Sequence, residues 1–316
     1  MSSPRVVALG GGHGLFATLT SLRALTSQIT AIVTVADNGG SSGRLREEFP
    51  IFPPGDLRMA LAALCSDDEW GRSWAEIMQY RFTSDGPLDG HAVGNLLLAA
   101  LWDRDEDPVE GLDRVGALLK VVGRVLPMAS QPLDIQATFV EQGEKRTVRG
   151  QKEVATASGR FDSLQLIPNN PKARPEALTA IAEADWITMG PGSWISSVLP
   201  HLLVPEQLAS LINSPAKKIL LLNLDDSENG EFSGRSALDH IAAIQKLAPQ
   251  LTFEFVVADS SIVLDPQAGQ LLRDKVSTQG GELIVQDLRL DRSGYHHDTK
   301  KLTSLFAHIA EKTLVG

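Results

Sequence analysis

Short runs of apolar residues recur along the chain, and each run ends in a polar or glycine-rich stretch. Such runs occupy residues 6–9, 29–35, 186–189, 218–224 and 253–258. A continuous apolar run of about four to eight residues is typical of a strand buried on both faces, as strands of a parallel sheet are. These five segments therefore predict a buried, mostly parallel sheet.

Segments with apolar residues at helical spacing separate the predicted strands. The clearest is 107–122, in which apolar residues recur at every third or fourth position and form one face of a helix. Helices are also predicted at 15–25, 57–65, 70–81, 93–102, 175–184, 237–247 and 267–276. The alternation of strand and helix predicts an α/β fold in which helices flank the sheet.

The middle of the chain, residues 124–168, has a different pattern. Apolar and polar residues alternate in DIQATFVEQ, KRTVRGQKEV and FDSLQLIP, as in strands with one face toward water. We expect a small antiparallel excursion from the main sheet here. The segment is too short for a separate core, so residues 1–316 are predicted to form a single domain.

Composition narrows the class of protein. The chain has 316 residues, of which 43% are hydrophobic and 22% charged, as in ordinary globular proteins. A net charge of −10, with Lys and Arg scattered, argues against binding of nucleic acid. No run reaches the roughly 18 apolar residues that span a bilayer, and the N-terminal segment lacks the apolar core of a signal peptide. We therefore expect a cytoplasmic protein without a membrane span.

The single cysteine, Cys65, bears on both redox chemistry and metal binding. One cysteine excludes an internal disulfide and a cysteine-rich zinc site. Cys65 follows the apolar stretch 60–64 of a predicted helix, which favours a buried structural thiol over a nucleophile.

A first glycine-rich loop joins the strand at 6–9 to the helix at 15–25. Gly11, Gly12, His13 and Gly14 lie in this loop, where free N–H groups and the helix dipole together favour an anion. The spacing is not the dinucleotide fingerprint G-x-G-x-x-G, and no Walker lysine follows. The loop therefore favours neither an NAD-linked oxidoreductase nor a P-loop NTPase.

A second glycine-rich loop follows the strand at 29–35 and has the sequence DNGGSSGRLR. Its glycines permit close approach of a ligand, its serines offer hydroxyl groups, and its arginines offer forked donors suited to phosphate. Asp37 ends the strand at a position where nucleotide-binding folds often place an acid against a ribose. Two alternatives remain open: Asp37 caps the turn that follows, and the whole stretch is an ordinary surface turn.

A third loop, 190–200, again follows a buried strand and precedes a helix. Gly192 and Ser193 offer backbone N–H and hydroxyl groups to a phosphate, although the same residues are also typical of a helix start. Open parallel sheets bind ligands where loops leave the carboxyl ends of their strands. Three such loops in one chain predict one shared ligand site.

Other polar residues are candidates with a competing structural role. Asp56 is expected to cap the helix at 57–65, and Arg58 in the first turn of that helix hints at a nearby anion because its charge opposes the helix dipole. His91 and Asn95 either face the site or cap the helix at 93–102.

Two clusters of polar residues contain side chains that can bind a metal ion. Asp225, Asp226 and Glu228 offer carboxylates for a divalent cation, although a solvated acidic loop is favoured. His296, His297 and Asp298 are adjacent in a loop, where neighbouring residues rarely chelate one ion together, so a polar wall of the pocket is expected. No metal site is predicted from these clusters.

Several motifs together resemble one family. They are GGGHGL at 10–15, VTVADNGGSSGRLR at 33–46, PPGDLR at 53–58, GHAVGNLLL at 90–98, GPGSWISSVLP at 190–200 and HHDTKKL at 296–302. In this order they resemble the YvcK proteins, called gluconeogenesis factors, within the wider family of the 2-phospho-L-lactate transferase CofD.

The resemblance implies a Rossmann-like fold, a site for a UDP-sugar such as UDP-N-acetylglucosamine, and a regulatory role in gluconeogenic growth, cell shape and carbon flow toward cell-envelope precursors. It places these residues around the ligand: Gly11, Gly12, Gly14, Asp37, Asn38, Ser41, Ser42, Arg44, Asn95, Gly192 and Ser193. The family usually has threonine at His13, aspartate at Asn38 and arginine at His296. We retain His13 and His296 as expected ligand contacts.

Two functions therefore compete. The first is a non-catalytic nucleotide-sugar sensor that signals through a partner, expected to be an enzyme of amino-sugar synthesis, and forms a homodimer by analogy. The second is a CofD-type transferase that moves a phosphate-linked group from a nucleotide donor with Mg²⁺, using Asp37, Asp56 and His91 as metal or proton-handling groups. The GGSSGRLR segment favours the sensor, since it marks that branch of the family.

Overall fold

A seven-stranded sheet, parallel throughout, forms the centre of the fold. The computed structural model describes residues 3–105, 107–224, 236–291 and 296–315. The strands of this sheet are β1 (Val6–Gly10), β2 (Ile29–Val33), β3 (Arg124–Pro127), β7 (Trp186–Met189), β8 (Lys217–Leu221), β9 (Phe255–Asp259) and β10 (Glu282–Gln286). Their order is β10-β9-β8-β7-β1-β2-β3.

This strand order creates a crevice at one edge of the sheet. From β1 the chain proceeds to β2 and β3 on one side, and then returns to place β7 on the other side of β1. Gly10 pairs with Val33, and Leu9 pairs with Met189, so the carboxyl ends of the three strands lie level. Connections leave β1 and β7 toward opposite sides, which is the topological switch point where open α/β sheets bind ligands.

Helices cover both faces of the sheet and explain why its central strands are continuously apolar. Every residue of β1 and β7 is buried, as is expected of strands covered on both sides. The helices are α1 (Gly12–Leu22), α2 (Gly40–Glu48), α3 (Pro54–Ala63), α4 (Glu69–Gln79), α5 (Val93–Arg104), α6 (Pro108–Leu119), α7 (Gln151–Ala155), α8 (Pro175–Glu183), α9 (Pro205–Asn213), α10 (Ala237–Leu247), α11 (Pro266–Ser277) and α12 (Thr299–Val315).

The antiparallel excursion is confirmed, with a later start than the sequence predicted. It consists of β4 (Asp134–Glu141), β5 (Glu144–Arg149) and β6 (Arg160–Ile167), in the order β5-β4-β6. Alternate residues of β4 are buried, as its alternating sequence predicts. Residues 124–127 form β3 and belong to the parallel sheet. The sequence did not reveal this, because four residues are too few to show a distinguishing period.

The prediction of an irregular loop after the second strand is wrong over its second half. Residues 40–48 form α2, which carries Ser41, Ser42 and Arg44 within its first five residues. Glycine and serine lower intrinsic helix propensity, so the sequence alone favours a loop. Close packing stabilises the helix instead: a side chain at Gly43 would lie 2.1 Å from the carbonyl oxygen of Asn38.

Within the described ranges, no single helix has the length and apolar composition to cross a bilayer. The two neighbouring helical segments Trp194–Leu203 and Pro205–Asn213 reach that composition only when taken together, and they are bent by 81° at their junction.

Candidate functional site

A cavity of about 570 Å³ lies at the carboxyl ends of β1 and β7. Its volume is within the range of about 300–1,000 Å³ that small-molecule sites occupy. The predicted ligand residues that line it are Gly11, Gly12, His13, Gly14, Gly192, Ser193 and His296. The first and third predicted loops therefore meet in one site, although they lie far apart in the sequence.

Glycine is required where these two loops approach each other. A side chain at Gly14 would place its Cβ 2.2 Å from the carbonyl oxygen of Pro191, and one at Gly11 would lie 2.4 Å from an Asp56 carboxylate oxygen. Gly12 has a positive φ of 58°, which side chains rarely adopt. Gly11 occupies the N-cap of α1 and brings no side chain, so the positive end of the helix dipole faces the cavity.

The loop after β7 is held by hydrogen bonds to Asn223, which follows the neighbouring strand β8. The Gly192 N–H donates to Oδ1 of Asn223 at 2.9 Å, and Nδ2 of Asn223 donates to the Gly192 carbonyl at 2.8 Å. Ser193 caps the following π-helical turn, Trp194–Val198, by accepting from the Ser196 N–H at 3.1 Å. Two groups that the sequence assigned to phosphate are thus bonded within the protein, and they shape the loop around the cavity.

A pair of carboxylates borders the first glycine loop. Burial, together with the charge of Asp37, raises the pKa of Asp56 to about 7, although the Gly12 N–H and Arg58 act in the opposite direction. Burial also raises the pKa of Asp37, against hydrogen bonds from Gly39 and Ser42. The prediction that Asp56 caps its helix is wrong, because α3 begins at Pro54 and places Asp56 within the first turn.

Asp37 also caps the turn after its strand, as one of the two sequence interpretations proposed. Its Oδ1 accepts from the Gly39 N–H at 2.8 Å. Its other oxygen, Oδ2, would lie 3.0 Å from a Cβ on Gly55, next to Asp56 in the chain. The carboxyl group therefore lies between the α2 start and the α3 start, beside the cavity wall.

A buried polar chain lies behind this wall and contains two more predicted ligand residues. Arg58, which is 3% exposed, donates from Nε to Oδ1 of Asn95 at 2.9 Å. Asn95 donates to Ser41 Oγ at 3.0 Å, and Ser41 is 2.9 Å from Nδ1 of His91. Asn95, Ser41 and His91 are therefore engaged with one another rather than placed on the cavity surface.

The remaining predicted ligand residues lie in the same neighbouring layer. Ser42 Oγ accepts from the Gly55 N–H at 3.0 Å, and Asn38 donates to Glu153 at 3.1 Å. Arg44 is exposed and donates to the carbonyls of Pro87 and Asp89. The structure thus divides the predicted set into residues that line the cavity and residues that do not.

Histidines form part of the cavity lining. The rings of His13 and His296 have centroids 5.9 Å apart. Burial, the charge of His296 and the charge of Arg58 lower the pKa of His13. Burial lowers the pKa of His297 to about 4, and its Nε2 is buried without a hydrogen-bond partner among the described residues. His296 and His297 both line the cavity, as the polar-wall interpretation predicted.

The structure gives little support to a metal site at either of the two clusters considered in the sequence. No group of three or more His, Cys, Asp or Glu side chains suited to a metal ion occurs in the ranges that the structure describes. Asp225, Asp226 and Glu228 lie outside those ranges. Cys65 is buried as predicted, and burial raises the pKa of its thiol to about 11, so it is not a nucleophile at neutral pH.

Asn223 and Gln151 are among the polar cavity-lining residues that sequence reasoning missed. A signal for Asn223 was present, because it follows a buried strand in the same way that Asp37 follows β2. Gln151 comes from the short helix α7 beside the antiparallel sheet, and nothing in its local sequence distinguishes it.

The fold and the cavity define the class of the protein: a doubly wound α/β protein of the Rossmann-like type, with a cavity at the switch point. The chain belongs to the CofD family, because the family model described as 2-phospho-L-lactate transferase CofD matches residues 6–302. Within that family it is similar to the gluconeogenesis factors.

Individual relatives and a solved structure agree with this assignment. The chain is 44% identical over 304 residues to a Mycobacterium tuberculosis protein named "Putative gluconeogenesis factor", covering 95% of this chain and 88% of the relative. It is 38% identical over 245 residues to the "Gluconeogenesis factor" of Listeria monocytogenes, covering 78% and 74% of the two chains. A crystal structure of a UPF0052 family member from Bacillus halodurans superposes with a TM-score of 0.84 at 34% identity, covering 97% and 99%. The resemblance seen in the sequence motifs is confirmed.

Proposed function

We propose that this protein binds a nucleotide sugar, UDP-N-acetylglucosamine, in the cavity at the switch point and acts as a non-catalytic regulator of carbon flow into cell-envelope precursors, gluconeogenic growth and cell shape. The observation that carries the proposal is the meeting of two glycine loops and the α1 N-terminus at one cavity. Backbone N–H groups, a helix dipole and histidines are suited to a diphosphate.

The chemistry of the lining residues favours binding over catalysis. A covalent mechanism needs a nucleophile within hydrogen-bond reach of a base. Ser193, the serine of the third loop, instead caps a helical turn, and GPGSW lacks the second glycine of a G-x-S-x-G elbow. A regulator acts through other proteins, so the proposal includes a homodimer and a partner enzyme of amino-sugar synthesis, in the cytoplasm.

The test is calorimetric titration with UDP-N-acetylglucosamine, UDP-glucose, GDP and NAD, with and without Mg²⁺. We expect saturable binding of the UDP-sugar without turnover. A Thr299→Trp variant should weaken that binding at least about 100-fold, because Thr299 lines the cavity and an indole would fill it. Ser304→Trp, on the exposed face of the same helix, is the matched control and should bind like the wild type. Absence of UDP-sugar binding together with Mg²⁺-dependent binding of GDP would reject the proposal.

A second prediction concerns the asparagine that holds the third loop. Asn223→Asp removes the Nδ2 donor to the Gly192 carbonyl and adds a negative charge to the cavity. Binding of the UDP-sugar should fall about 30-fold, equivalent to about 2 kcal/mol. Asn213→Asp, an exposed asparagine at the end of α9, is the matched control and should bind like the wild type. Unchanged affinity in Asn223→Asp would show that the loop does not depend on this clamp.

A CofD-type transferase is the second candidate, and the Asp37–Asp56 pair is the observation that favours it. Mg²⁺ is bound in many phosphate sites by one or two carboxylates together with substrate oxygens, so Asp37 and Asp56 fit as its protein ligands. A bound Mg²⁺ would neutralise phosphate charge during transfer. Analysis of reaction products after incubation with a nucleotide donor and Mg²⁺ separates this function from binding alone.

A further inference from the structure

Two histidines from opposite ends of the chain lie next to each other in the cavity lining. His13 lies in the first turn of α1, and His296 lies three residues before α12. Their ring centroids are 5.9 Å apart, the ring planes are tilted by 44°, and both side chains remain exposed. Both line the same cavity as the Gly11–Gly14 backbone.

We propose that ligand binding is linked to proton uptake by the His13–His296 pair, so that the protein holds an anionic ligand more tightly in acidic than in alkaline solution. The inference rests on the proposed function, since it concerns the same nucleotide-sugar site. It assigns to the two rings a regulatory role, in which pH adjusts occupancy of the site.

The physical basis is the mutual repulsion of two imidazolium rings at this distance. In the free protein, two positive charges 5.9 Å apart disfavour each other, and burial further disfavours the charged form of His13. A diphosphate placed at the α1 N-terminus brings negative charge to both rings and favours their protonated forms. Binding is therefore strongest where the rings carry protons and weakens as pH rises and they lose them.

Other charged groups border the pair and must be separated from it. Asp56 and Arg58 belong to α3, and His297 adjoins His296 in the chain. Arg58 stays charged near neutral pH, and His297 stays neutral because burial lowers its pKa to about 4. Gln151 and Asn223, from α7 and the end of β8, carry no charge. Asp56 is the one competitor among these groups, since its ionisation would also repel an anion as pH rises.

The experiment is calorimetric titration of the full chain with UDP-N-acetylglucosamine at several pH values from 5.5 to 8.0, with EDTA present. This ligand suits the test because its diphosphate is doubly esterified and does not titrate in that range. We expect the dissociation constant to rise about tenfold from pH 5.5 to pH 8.0, the change that corresponds to a one-unit linked pKa difference. Repeating the titration in buffers of different ionisation enthalpy should show proton uptake on binding.

Variants identify the groups responsible. His13→Asn and His296→Asn should each flatten the pH dependence, and His296→Arg should bind more tightly than His296→Asn at pH 8.0 because arginine keeps its charge. His308→Asn, an exposed histidine elsewhere on α12, should keep the wild-type dependence. Both substituted rings are exposed, and thermal unfolding of each variant verifies that it is folded.

The outcomes are distinct. Loss of the pH dependence in the two asparagine variants, with its retention in Asp56→Asn, supports the histidine pair. Affinity that is constant with pH in the wild type, or a dependence removed only by Asp56→Asn, overturns this inference and leaves the nucleotide-sugar proposal intact. Absence of binding at every pH overturns both.

Discussion

Gly14→Ala is expected to abolish binding of the nucleotide sugar and to lower the free energy of unfolding by about 3 kcal/mol or more. In most helices the same substitution stabilises by about 0.5–1 kcal/mol, since alanine restricts the unfolded chain and favours the helix. At Gly14 the new methyl group would lie 2.2 Å from the carbonyl oxygen of Pro191 and 2.7 Å from the Gly192 nitrogen. Backbone atoms of the third loop must move to relieve this overlap, and the cavity wall moves with them.

Chemical denaturation and calorimetry together measure the two effects of Gly14→Ala. Gly86→Ala is the matched control, because its Cβ would approach no atom closer than 4.0 Å and Gly86 is exposed. We expect Gly86→Ala to leave binding and stability within about 0.5 kcal/mol of the wild type. A Gly14→Ala protein as stable as the wild type would show that the two loops do not interlock as described.

Asp56→Asn should make the protein more stable than the wild type at alkaline pH and should have little effect in acid. The folded pKa of Asp56, about 7, lies above the ordinary value of 3.8. Below the ordinary value the carboxyl group is protonated in both folded and unfolded chains. As pH rises toward 7 the unfolded chain loses this proton first, so the wild type loses stability over that interval.

Asparagine removes this dependence because it stays neutral while its Oδ1 still accepts the Gly12 N–H. The full pKa difference would correspond to about 4 kcal/mol, and we expect about half of it at pH 8 because Asp56 borders the cavity, where solvent screens its charge. Urea unfolding at pH 4, 6 and 8 measures the difference. Asp85→Asn, an exposed carboxylate, serves as the control. An Asp56→Asn protein that is less stable than the wild type at pH 8 would contradict the burial of a charged Asp56.

The elements of the fold that could be predicted are those whose hydrophobic pattern is visible within a short stretch of sequence. The central strands are buried and mostly apolar because helices cover both faces, and such runs are visible in the sequence without any partner. The antiparallel sheet was visible for a similar reason, since alternate residues of β4 are buried. The Gly11–Gly14 and Gly192–Ser193 loops followed from the rule that ligands bind at the carboxyl ends of parallel strands.

The unpredicted part depends on contacts between distant residues. Helix α2 has poor helix-forming residues and depends on Gly43 packing against Asn38. Strand β10, at one edge of the sheet, has one exposed and four half-buried residues, and its apolar run is only three residues long. Asp56 resembles a helix cap in the sequence, and only the tertiary structure places it beside Asp37 and the Gly12 N–H.

The same distinction applies within the candidate site. Residue types told us that Ser41, Asn95 and Arg44 suit an oxygen-rich ligand. They did not reveal that Ser41 and Asn95 already satisfy one another, or that Arg44 holds the carbonyls of Pro87 and Asp89. Hydrogen-bond partners of buried polar groups are a property of the folded chain, and a single sequence carries little information about them.

The packing of α12 on α1 has a consequence for how the protein is made. The Ser21 hydroxyl donates to the Thr299 carbonyl across 278 positions of sequence, and this contact holds the α12 start beside the first glycine loop. A growing chain on the ribosome has its first strand and helix long before residues 296–299 emerge, and domains complete their folding only when all parts are available. A nascent or C-terminally clipped chain that lacks residues 296–299 therefore lacks the His296 and His297 part of the cavity lining, and the cavity is complete only in molecules whose synthesis has passed the start of α12.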